Sequence, residues 1–133
     1  MSRITGIGVD IEDVNRFKNI GKTKTNKLTR KIFTDNEIKY CFSKKNPCPS
    51  LAARFCGKEA VVKAFSHHNI KIHLTQIEIL NKPNGIPFVR LLNKRSNRFD
   101  IQISLSHSKE IAIAFAIVSE DLEDKGALKN DKN

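Results

Sequence analysis

Residues Ser50 to Phe65 read SLAARFCGKEAVVKAF, and this stretch decides the fold. Its alanine, leucine, lysine, glutamate and arginine content predicts one helix, with Pro49 and Ser50 supplying a break and an N-cap. At about 100° per residue, small side chains share one stripe of this helix, namely Ala53, Gly57, Ala60 and Ala64. Because a stripe of small side chains permits close backbone approach, we expect the helix to pack on at least two sides.

Glu59 and Lys63 stand on a different stripe of the same helix, together with Ala52 and Cys56. An i, i+4 pair in this order is usually a surface salt bridge worth roughly 0.2–0.5 kcal/mol. Near a crowded interior, however, charged side chains are almost never fully buried without a partner. The helix by itself leaves a salt bridge and a functional pair both open.

An alternating stretch from Arg3 to Glu12 predicts a strand. One face carries Thr5, Ile7, Val9 and Ile11, and the other carries Gly6, Gly8, Asp10 and Glu12. Two glycines inside a strand weaken it unless another element must come close. We therefore expect the small stripe of the helix to lie over Gly6 and Gly8.

This packing would bring Asp10 near Glu59. Two neighbouring carboxylates repel each other, so one must take a proton or a cation must lie between them. With oxygen ligands and no nearby histidine or cysteine, the cation would be Mg²⁺ or a similar hard ion. The alternative is a glycine-containing edge strand whose aspartate caps a turn.

Length and composition indicate one globular domain followed by a polar, flexible tail over residues 120–133. The chain has 133 residues, of which 39% are apolar, and we find no transmembrane segment or secretory signal. Its three cysteines, Cys41, Cys48 and Cys56, match neither a disulfide framework nor a zinc spacing, which fits a reducing cytoplasm. The net charge of +10 indicates a polyanionic partner: nucleic acid, an acidic protein or a phosphorylated ligand.

The remaining pattern predicts early helices and a later strand meander, which together indicate an α+β fold. Before the central helix we expect a short helix from Asp13 to Ile20, a loop from Gly21 to Lys31, and a capping-box helix from Thr34 to about Ser43. After it, His67 and His68 should face solvent. The predicted strands cover residues 77–79, 87–91, 101–105 and 111–118, with turns at 82–85 and 107–110.

Several short motifs come in one order along the chain. They are GIGVDI at Gly6 to Ile11, FTDNEI at Phe33 to Ile38, RFCGKEAVVKAF at Arg54 to Phe65, NGIP at Asn84 to Pro87 and SLSHSKEIAIA at Ser104 to Ala114. Together they closely resemble the holo-[acyl-carrier-protein] synthase family, the small bacterial-type phosphopantetheinyl transferases. The resemblance extends from about Ile4 to Val118.

The resemblance implies a cytoplasmic enzyme of fatty acid biosynthesis that moves 4′-phosphopantetheine from coenzyme A to a serine of apo acyl carrier protein. The reaction would need Mg²⁺ and leave 3′,5′-ADP. Residues 1–119 would form the transferase domain, with helices packed on a mainly antiparallel sheet. The family assembles as homotrimers with coenzyme A between neighbouring subunits, and neither nucleic acid nor a membrane is an expected partner.

The same resemblance implies roles for individual residues. Asp10 and Glu59 match the metal carboxylates, and Lys63 matches the catalytic lysine beside the transferred phosphate. Arg16 matches an arginine that grips the acidic carrier protein. The positions that match coenzyme A contacts are Lys45, Arg54, Lys63, Asn84, Gly85, Pro87, His107 and Ser108.

The chain departs from the family pattern at two places, and plainer interpretations of the site residues stay open. Ser66 to Asn69 replaces a glycine-rich turn, and Glu12 replaces a valine-like residue. His107 and Asn84-Gly85 could simply form turns, and Arg54 could lie along the helix surface. Asp35, Glu37 and a metal-bound water are all possible general bases, and the sequence does not show which carrier protein is modified or whether acylated coenzyme A is accepted.

Two rival functions belong to other classes. An RNA-binding module would use the basic face but needs aromatic side chains on a sheet, and this chain has no tryptophan and one tyrosine. A metal-dependent nucleotide hydrolase would share Asp10, Glu59 and Lys63 but use water as the acceptor. Release of 3′,5′-ADP with and without a carrier protein separates these functions.

Overall fold

The chain is described from a computed structural model, which covers residues 2–20, 26–93 and 98–121. The strands are β1 (Ser2–Asp13), β2 (Ile77–Asn81), β3 (Pro87–Leu91), β4 (Phe99–His107) and β5 (Ile111–Asp121). The α-helices are α1 (Lys27–Ile32), α2 (Asp35–Phe42) and α3 (Cys48–Phe65), and 3₁₀ turns cover Val14–Phe17, Ser66–His68 and Leu74–Gln76.

The strands form two sheets in which every pairing is antiparallel. One sheet has the order β1-β5-β4, and the other is the β2-β3 hairpin. Helix α3 packs against both sheets, so the central helix of the sequence is also the centre of the fold. The predicted α+β class and the mainly antiparallel pairing are confirmed.

The glycine face of β1 lies directly on α3. A Cβ atom added to Gly6 would lie 2.0 Å from the carbonyl oxygen of Ala64, and one added to Gly8 would lie 1.9 Å from that of Ala60. The expected close approach is therefore confirmed for these two alanines. Gly57 belongs to another contact, because a Cβ there would lie 2.6 Å from Cδ1 of Ile79 on β2.

The opposite face of the β1-β5 pair is apolar and exposed. Val9 pairs with Phe115 in the register, and their side chains are 53% and 42% exposed. We call this surface the apolar outer face; its exposed members are Ile7, Val9, Ile11, Ile113 and Phe115. The inward positions of β5 are small, since Ala112, Ala114 and Ala116 are buried beneath α3.

The central helix begins earlier than the sequence predicted. It starts at Cys48, and Pro47 occupies the N-cap position without a side-chain cap. Instead Asn46 accepts a hydrogen bond from the backbone N–H of Cys48 at 3.2 Å. Pro49 falls in the first turn, where no intrahelical partner for an N–H is needed, so the predicted N-cap at Ser50 was wrong.

The segment predicted as a loop from Gly21 to Lys31 contains helix α1. Residues 21–25 lie outside the described residues, and Lys27–Ile32 is helical, with the Asn26 side chain accepting from the N–H of Leu28 at 2.8 Å.

Two other elements differ in length from their predictions. The helix predicted from Asp13 to Ile20 is a 3₁₀ turn at Val14–Phe17, although Val14 and Phe17 are buried as expected. Strand β5 continues to Asp121, past the predicted end at Val118.

Of the two histidines after α3, His67 is exposed and His68 is not. The ring of His68 lies 5.1 Å from that of Phe99 and 6.2 Å from that of Phe65. Its Nε2 is 2.8 Å from Oγ1 of Thr5, so the side chain ties the end of α3 to β1. The prediction that His68 faces solvent was wrong because Phe99, distant in sequence, covers it.

Candidate functional site

The contact between β1 and α3 brings Asp10 and Lys63 together. Nζ of Lys63 lies 3.1 Å from Oδ1 of Asp10 and donates to the carbonyl oxygen of Val9 at 3.0 Å. The Lys63 side chain is 54% exposed, whereas that of Asp10 is 13% exposed. Within the described ranges, the ion pair of Lys63 is therefore with the strand and not with Glu59 on its own helix.

Glu59 completes an acidic pair beside this lysine. Burial raises the pKa of Glu59, and repulsion from Asp10 raises it further, while Lys63 opposes both effects. Oδ2 of Asp10 is buried and has no hydrogen-bond partner. In the part of the chain that is described, no group of three or more His, Cys, Asp or Glu side chains is placed to hold a metal ion, so the donor set here is two carboxylates.

Glu12, which follows Asp10 on the same face of β1, is paired with Arg16. Nη1 of Arg16 lies 2.5 Å from Oε2 of Glu12. The Glu12 side chain is nearly buried, while most of Arg16 remains exposed at the protein surface. The unexpected negative charge of Glu12 is thus partly balanced, and Glu12 orients an accessible guanidinium two residues along β1 from Asp10.

Arg54 lies about 13.5 Å from Lys63 along α3, because the two residues are nine positions apart. The residue is 4% exposed, and its guanidinium stacks 4.0 Å from the ring centroid of Tyr40. One Nη2 hydrogen bond goes to the side-chain oxygen of Asn81, and Nε has no partner. Among the described residues, no carboxylate lies within ion-pair distance of this buried cation.

A pocket of about 680 Å³ opens beside Arg54, between α2, α3 and the β2-β3 hairpin. Its lining residues are Asn36, Lys39, Tyr40, Ser43, Arg54, Leu80, Asn81, Lys82 and Phe88. The lining combines three cations with aromatic and apolar surface and contains no carboxylate. This composition suits a phosphorylated ligand with a flat ring system.

The predicted Asn84-Gly85 turn lies at the edge of this pocket. Gly85 has a φ of +88° and donates its N–H to the carbonyl oxygen of Lys82 at 2.8 Å. Asn81 donates from Nδ2 to the carbonyl oxygen of Gly85 at 2.9 Å, so it joins the turn to Arg54. Pro87 begins β3 directly after the turn, as predicted.

Asn81 and Tyr40 were missed by the sequence argument. Asn81 is the last residue of β2. Tyr40 lies on α2, which the sequence predicted from its capping box. The one available hint was that Tyr40 is the only tyrosine of the chain. Neither residue forms a motif, because both act through Arg54, which is distant in sequence.

The other predicted coenzyme A residues, Lys45, His107 and Ser108, are not among the residues that line the Arg54 pocket. His107 ends β4 and pairs in register with Ala112, which pairs with Glu12 on β1. Oγ of Ser108 accepts from the N–H groups of Glu110 and Ile111, so this serine also shapes the β4-β5 turn. Lys45 is exposed in the connection after α2.

Two acidic residues were considered as general bases, and the structure separates them. Glu37 is fully buried, 2.5 Å from Nζ of Lys58, and also accepts from the N–H of Ile79 at 2.8 Å. Burial raises the pKa of Glu37 and lowers that of Lys58. Glu37 is therefore structural, and Lys58 does not belong to a basic surface. Asp35 is exposed and lies 3.6 Å from Arg30.

A family model places the chain among known proteins. The model of the 4′-phosphopantetheinyl transferase superfamily matches residues 6–116. The chain is 43% identical over 118 residues to the holo-[acyl-carrier-protein] synthase of Thermodesulfovibrio yellowstonii, covering 87% of this chain and 99% of that protein. It is 41% identical over 121 residues to that of Ruminiclostridium cellulolyticum, covering 85% and 90%.

Solved structures agree with this placement. The holo-(acyl-carrier-protein) synthase of Bacillus anthracis, in complex with CoA (3′,5′-ADP), superposes with a TM-score of 0.74 at 28% identity, covering 89% of this chain and 98% of that one. The Helicobacter pylori holo-[acyl-carrier-protein] synthase in complex with coenzyme A gives 0.71 at 28% identity, covering 84% and 98%.

Proposed function

Because the chain belongs to the 4′-phosphopantetheinyl transferase superfamily and is a phosphopantetheinyl transferase of the holo-[acyl-carrier-protein] synthase type, we propose how its site carries out the transfer. The enzyme moves 4′-phosphopantetheine from coenzyme A to a serine of apo acyl carrier protein in a Mg²⁺-dependent reaction that releases 3′,5′-ADP. It serves fatty acid biosynthesis, where carrier proteins hold the growing chain. The observation that carries this proposal is the contact of Lys63 with Asp10 beside Glu59.

Asp10 and Glu59 are the residues that would hold Mg²⁺. Oδ2 of Asp10 is buried without a hydrogen-bond partner, and burial and repulsion from Asp10 raise the pKa of Glu59. A cation between the two carboxylates would stabilise both charged groups. Two protein carboxylates, with water and substrate phosphate oxygens, suit the way Mg²⁺ is usually bound. The ion supplies charge neutralisation on the diphosphate.

Lys63 is the catalytic cation in this proposal. The serine oxygen of the carrier protein forms a bond to the phosphorus next to pantetheine, and the bond from that phosphorus to the oxygen of the 3′,5′-ADP leaving group breaks. The serine proton passes to a base that we do not assign to a residue. The exposed ammonium of Lys63, held by Asp10 and the Val9 carbonyl, is placed to neutralise the charge on the transferred phosphate.

The nucleotide end of coenzyme A occupies the pocket beside Arg54. The buried guanidinium without a carboxylate partner and the neighbouring turn at Asn84, Gly85 and Pro87 support this assignment. The exposed Lys45, His107 and Ser108 contact the same ligand from a neighbouring subunit or from the rim. Since none of the three lines the Arg54 pocket, a ligand that lies between subunits would bring them into one site.

The acidic carrier protein docks at Arg16. Its exposed guanidinium is oriented by Glu12 within reach of the Asp10 site, and the net charge of +10 favours an acidic partner. A carrier bound there would present its serine to Lys63. Nucleic acid and membranes are not partners in this proposal. Among the described segments, no helix is long and apolar enough to cross a membrane.

The enzyme assembles as a homotrimer through the apolar outer face. A contiguous set of exposed apolar side chains on two neighbouring strands is typical of a protein interface. The transferase domain extends past residue 119 to the end of β5 at Asp121, since Glu120 is 4% exposed, and residues 122–133 follow it. A cytoplasmic location is supported by Cys41, Cys48 and Cys56, which are all free thiols.

One assay tests the proposed function against its rivals. The protein is incubated with coenzyme A and Mg²⁺, with and without an apo acyl carrier protein, while 3′,5′-ADP and the mass of the carrier are measured. Carrier-dependent release with a matching mass increase supports the transferase. Carrier-independent release indicates a nucleotide hydrolase, and tight RNA binding without any release indicates a binding module.

A further inference from the structure

The guanidinium of Arg54 is held from two sides by neutral groups. The Tyr40 ring covers one face of the guanidinium at 4.0 Å from its centroid, and the amide oxygen of Asn81 accepts from Nη2. Neither contact neutralises the charge. Since Arg54 lines the pocket and no carboxylate is among the other lining residues, its positive charge is available to a ligand there.

Asn81 does more than accept one hydrogen bond. Its Nδ2 donates to the carbonyl oxygen of Gly85 at 2.9 Å, while its Oδ1 accepts from Arg54. The side chain therefore links the guanidinium to the one turn of the β2-β3 hairpin. The amide offers both a donor and an acceptor in this arrangement, whereas an aspartate has no N–H and would also neutralise Arg54.

Arg54 cannot share a phosphate with Lys63 of the same subunit. Nine residues of helix separate their backbones by about 13.5 Å, and their cationic groups contact different strands, Lys63 at Asp10 on β1 and Arg54 at Asn81 on β2. A ligand that satisfies both kinds of cation must carry a phosphate apart from its diphosphate. Coenzyme A has such a group on its ribose, at the 3′ position.

We propose that Asn81 and Tyr40 are positioning residues that aim Arg54 at the ribose 3′-phosphate, and so make the enzyme prefer coenzyme A over 3′-dephospho-coenzyme A. The inference rests on the proposed function for the identity of the substrate. Asn81 fixes the guanidinium and the Asn84-Gly85 turn in one geometry, and Tyr40 limits its rotation. The positive charge of Arg54 then faces the phosphate without a competing carboxylate.

The first measurement compares KM and kcat for coenzyme A and for 3′-dephospho-coenzyme A. Asn81→Ala should raise KM for coenzyme A about tenfold, since a charged hydrogen-bond geometry is lost, and change KM for the dephospho form less than about twofold. Its kcat should stay near that of the parent. Tyr40→Leu should act in the same direction, and Tyr40→Phe should retain the preference because it keeps the ring.

The Asn81→Asp variant tests whether Asn81 presents Arg54 as a free cation or only holds the side chain in place. The carboxylate keeps the hydrogen bond to Arg54 and loses only the one to Gly85, so a role limited to holding the guanidinium in place predicts that the discrimination is retained. If the free charge of Arg54 recognises phosphate, this variant should lose the preference at least as fully as Asn81→Ala. Asn19→Ala is the matched control, an exposed amide that is not among the lining residues of the pocket.

A binding measurement makes the inference independent of turnover. Calorimetry with 3′,5′-ADP and with adenosine 5′-phosphate should show a preference for the bisphosphate that Arg54→Ala and Asn81→Asp abolish. Equal loss for both nucleotides, or an unchanged preference in Asn81→Ala and Asn81→Asp, would overturn the positioning role. A parent that binds with this preference but modifies no carrier would overturn the proposed function and leave the role of Asn81 supported.

Discussion

A Cβ atom on Gly8 would lie 1.9 Å from the carbonyl oxygen of Ala60. Real Cβ atoms essentially never come so close to a backbone oxygen, so strand β1 and helix α3 can meet only where glycine is present. The same contact places Asp10, two residues further on β1, beside Lys63 on α3. The packing of the core and the geometry of the site thus depend on one close approach.

Gly8→Ala should therefore impair both stability and activity. The backbone of β1 must move away from α3, and overpacking of this kind costs about 3 kcal/mol or more when backbone atoms clash. Gly85→Ala is the control, because no atom lies within 4 Å of the added Cβ and only the positive φ is strained, at about 1–2 kcal/mol. Urea unfolding of both variants compares the two costs, and a Gly8→Ala protein as stable as Gly85→Ala would contradict the prediction.

The carboxylate pair should be required for the response to Mg²⁺. Asp10→Asn and Glu59→Gln each remove one charge with little change in shape, and each should abolish turnover. The parent should gain thermal stability when Mg²⁺ is added, because the ion offsets the burial and the repulsion from Asp10 that together raise the pKa of Glu59. In Glu59→Gln this gain should disappear, while the metal-free melting temperature should hold or rise.

A Glu110→Gln variant is the control for this experiment, since it removes an exposed carboxylate from the β4-β5 turn. It should respond to Mg²⁺ as the parent does. Normal turnover in either Asp10→Asn or Glu59→Gln would exclude these residues as metal ligands.

Lys63→Met separates a catalytic role from a salt bridge. The ion pair with Asp10 is half exposed, and such pairs are worth roughly 0–1 kcal/mol, so the variant should fold normally. If Lys63 neutralises phosphate charge in the transition state, kcat and kcat/KM should both fall at least about a hundredfold. Lys63→Arg should not restore full activity, because a planar guanidinium does not replace a compact ammonium. Steady-state kinetics showing kcat within a few-fold of the parent would return Lys63 to a structural role.

Arg16→Glu should weaken docking of the carrier protein. Reversing the charge replaces an attraction by a repulsion and places two acidic groups together with Glu12, so KM for the carrier should rise roughly tenfold. KM for coenzyme A should change little, and the difference from the parent should shrink at high salt. Lys71→Glu gives the same change of net charge at another exposed position. An equal effect of both variants would show that only the overall charge matters.

Phe115→Lys tests the apolar outer face as the subunit interface. The side chain is 42% exposed in the single chain, so the variant should fold, yet a charge at this position would be costly inside an interface. Sedimentation should show single chains in place of trimers, and activity should fall if coenzyme A lies between subunits as proposed. Leu92→Lys adds the same charge at an exposed leucine outside this face and should leave the assembly intact. A trimeric Phe115→Lys protein would place the interface elsewhere.

Features with a local cause were predictable from the sequence. The capping box of Thr34 and Glu37 involves residues three apart, and the Asn84-Gly85 turn needs only a residue that tolerates positive φ. The close approach of Gly6 and Gly8 to α3 followed from two patterns of small residues, one in the strand and one in the helix. Each of these signals lies within a few residues of chain, where side-chain type determines backbone conformation directly.

The rest depended on which distant segments meet. Nothing near Glu37 in sequence reveals that Lys58 neutralises it, or that Phe99 covers His68. Arg54 is likewise defined by Tyr40 and Asn81, which come from elements on either side of α3 in the chain. The sequence by itself determined most of the elements and the glycine contact, and its resemblance to a family supplied the residues of the proposed chemistry. The tertiary structure decided which charges are buried, paired or left free, because burial and pairing arise from contacts between segments that no local pattern encodes.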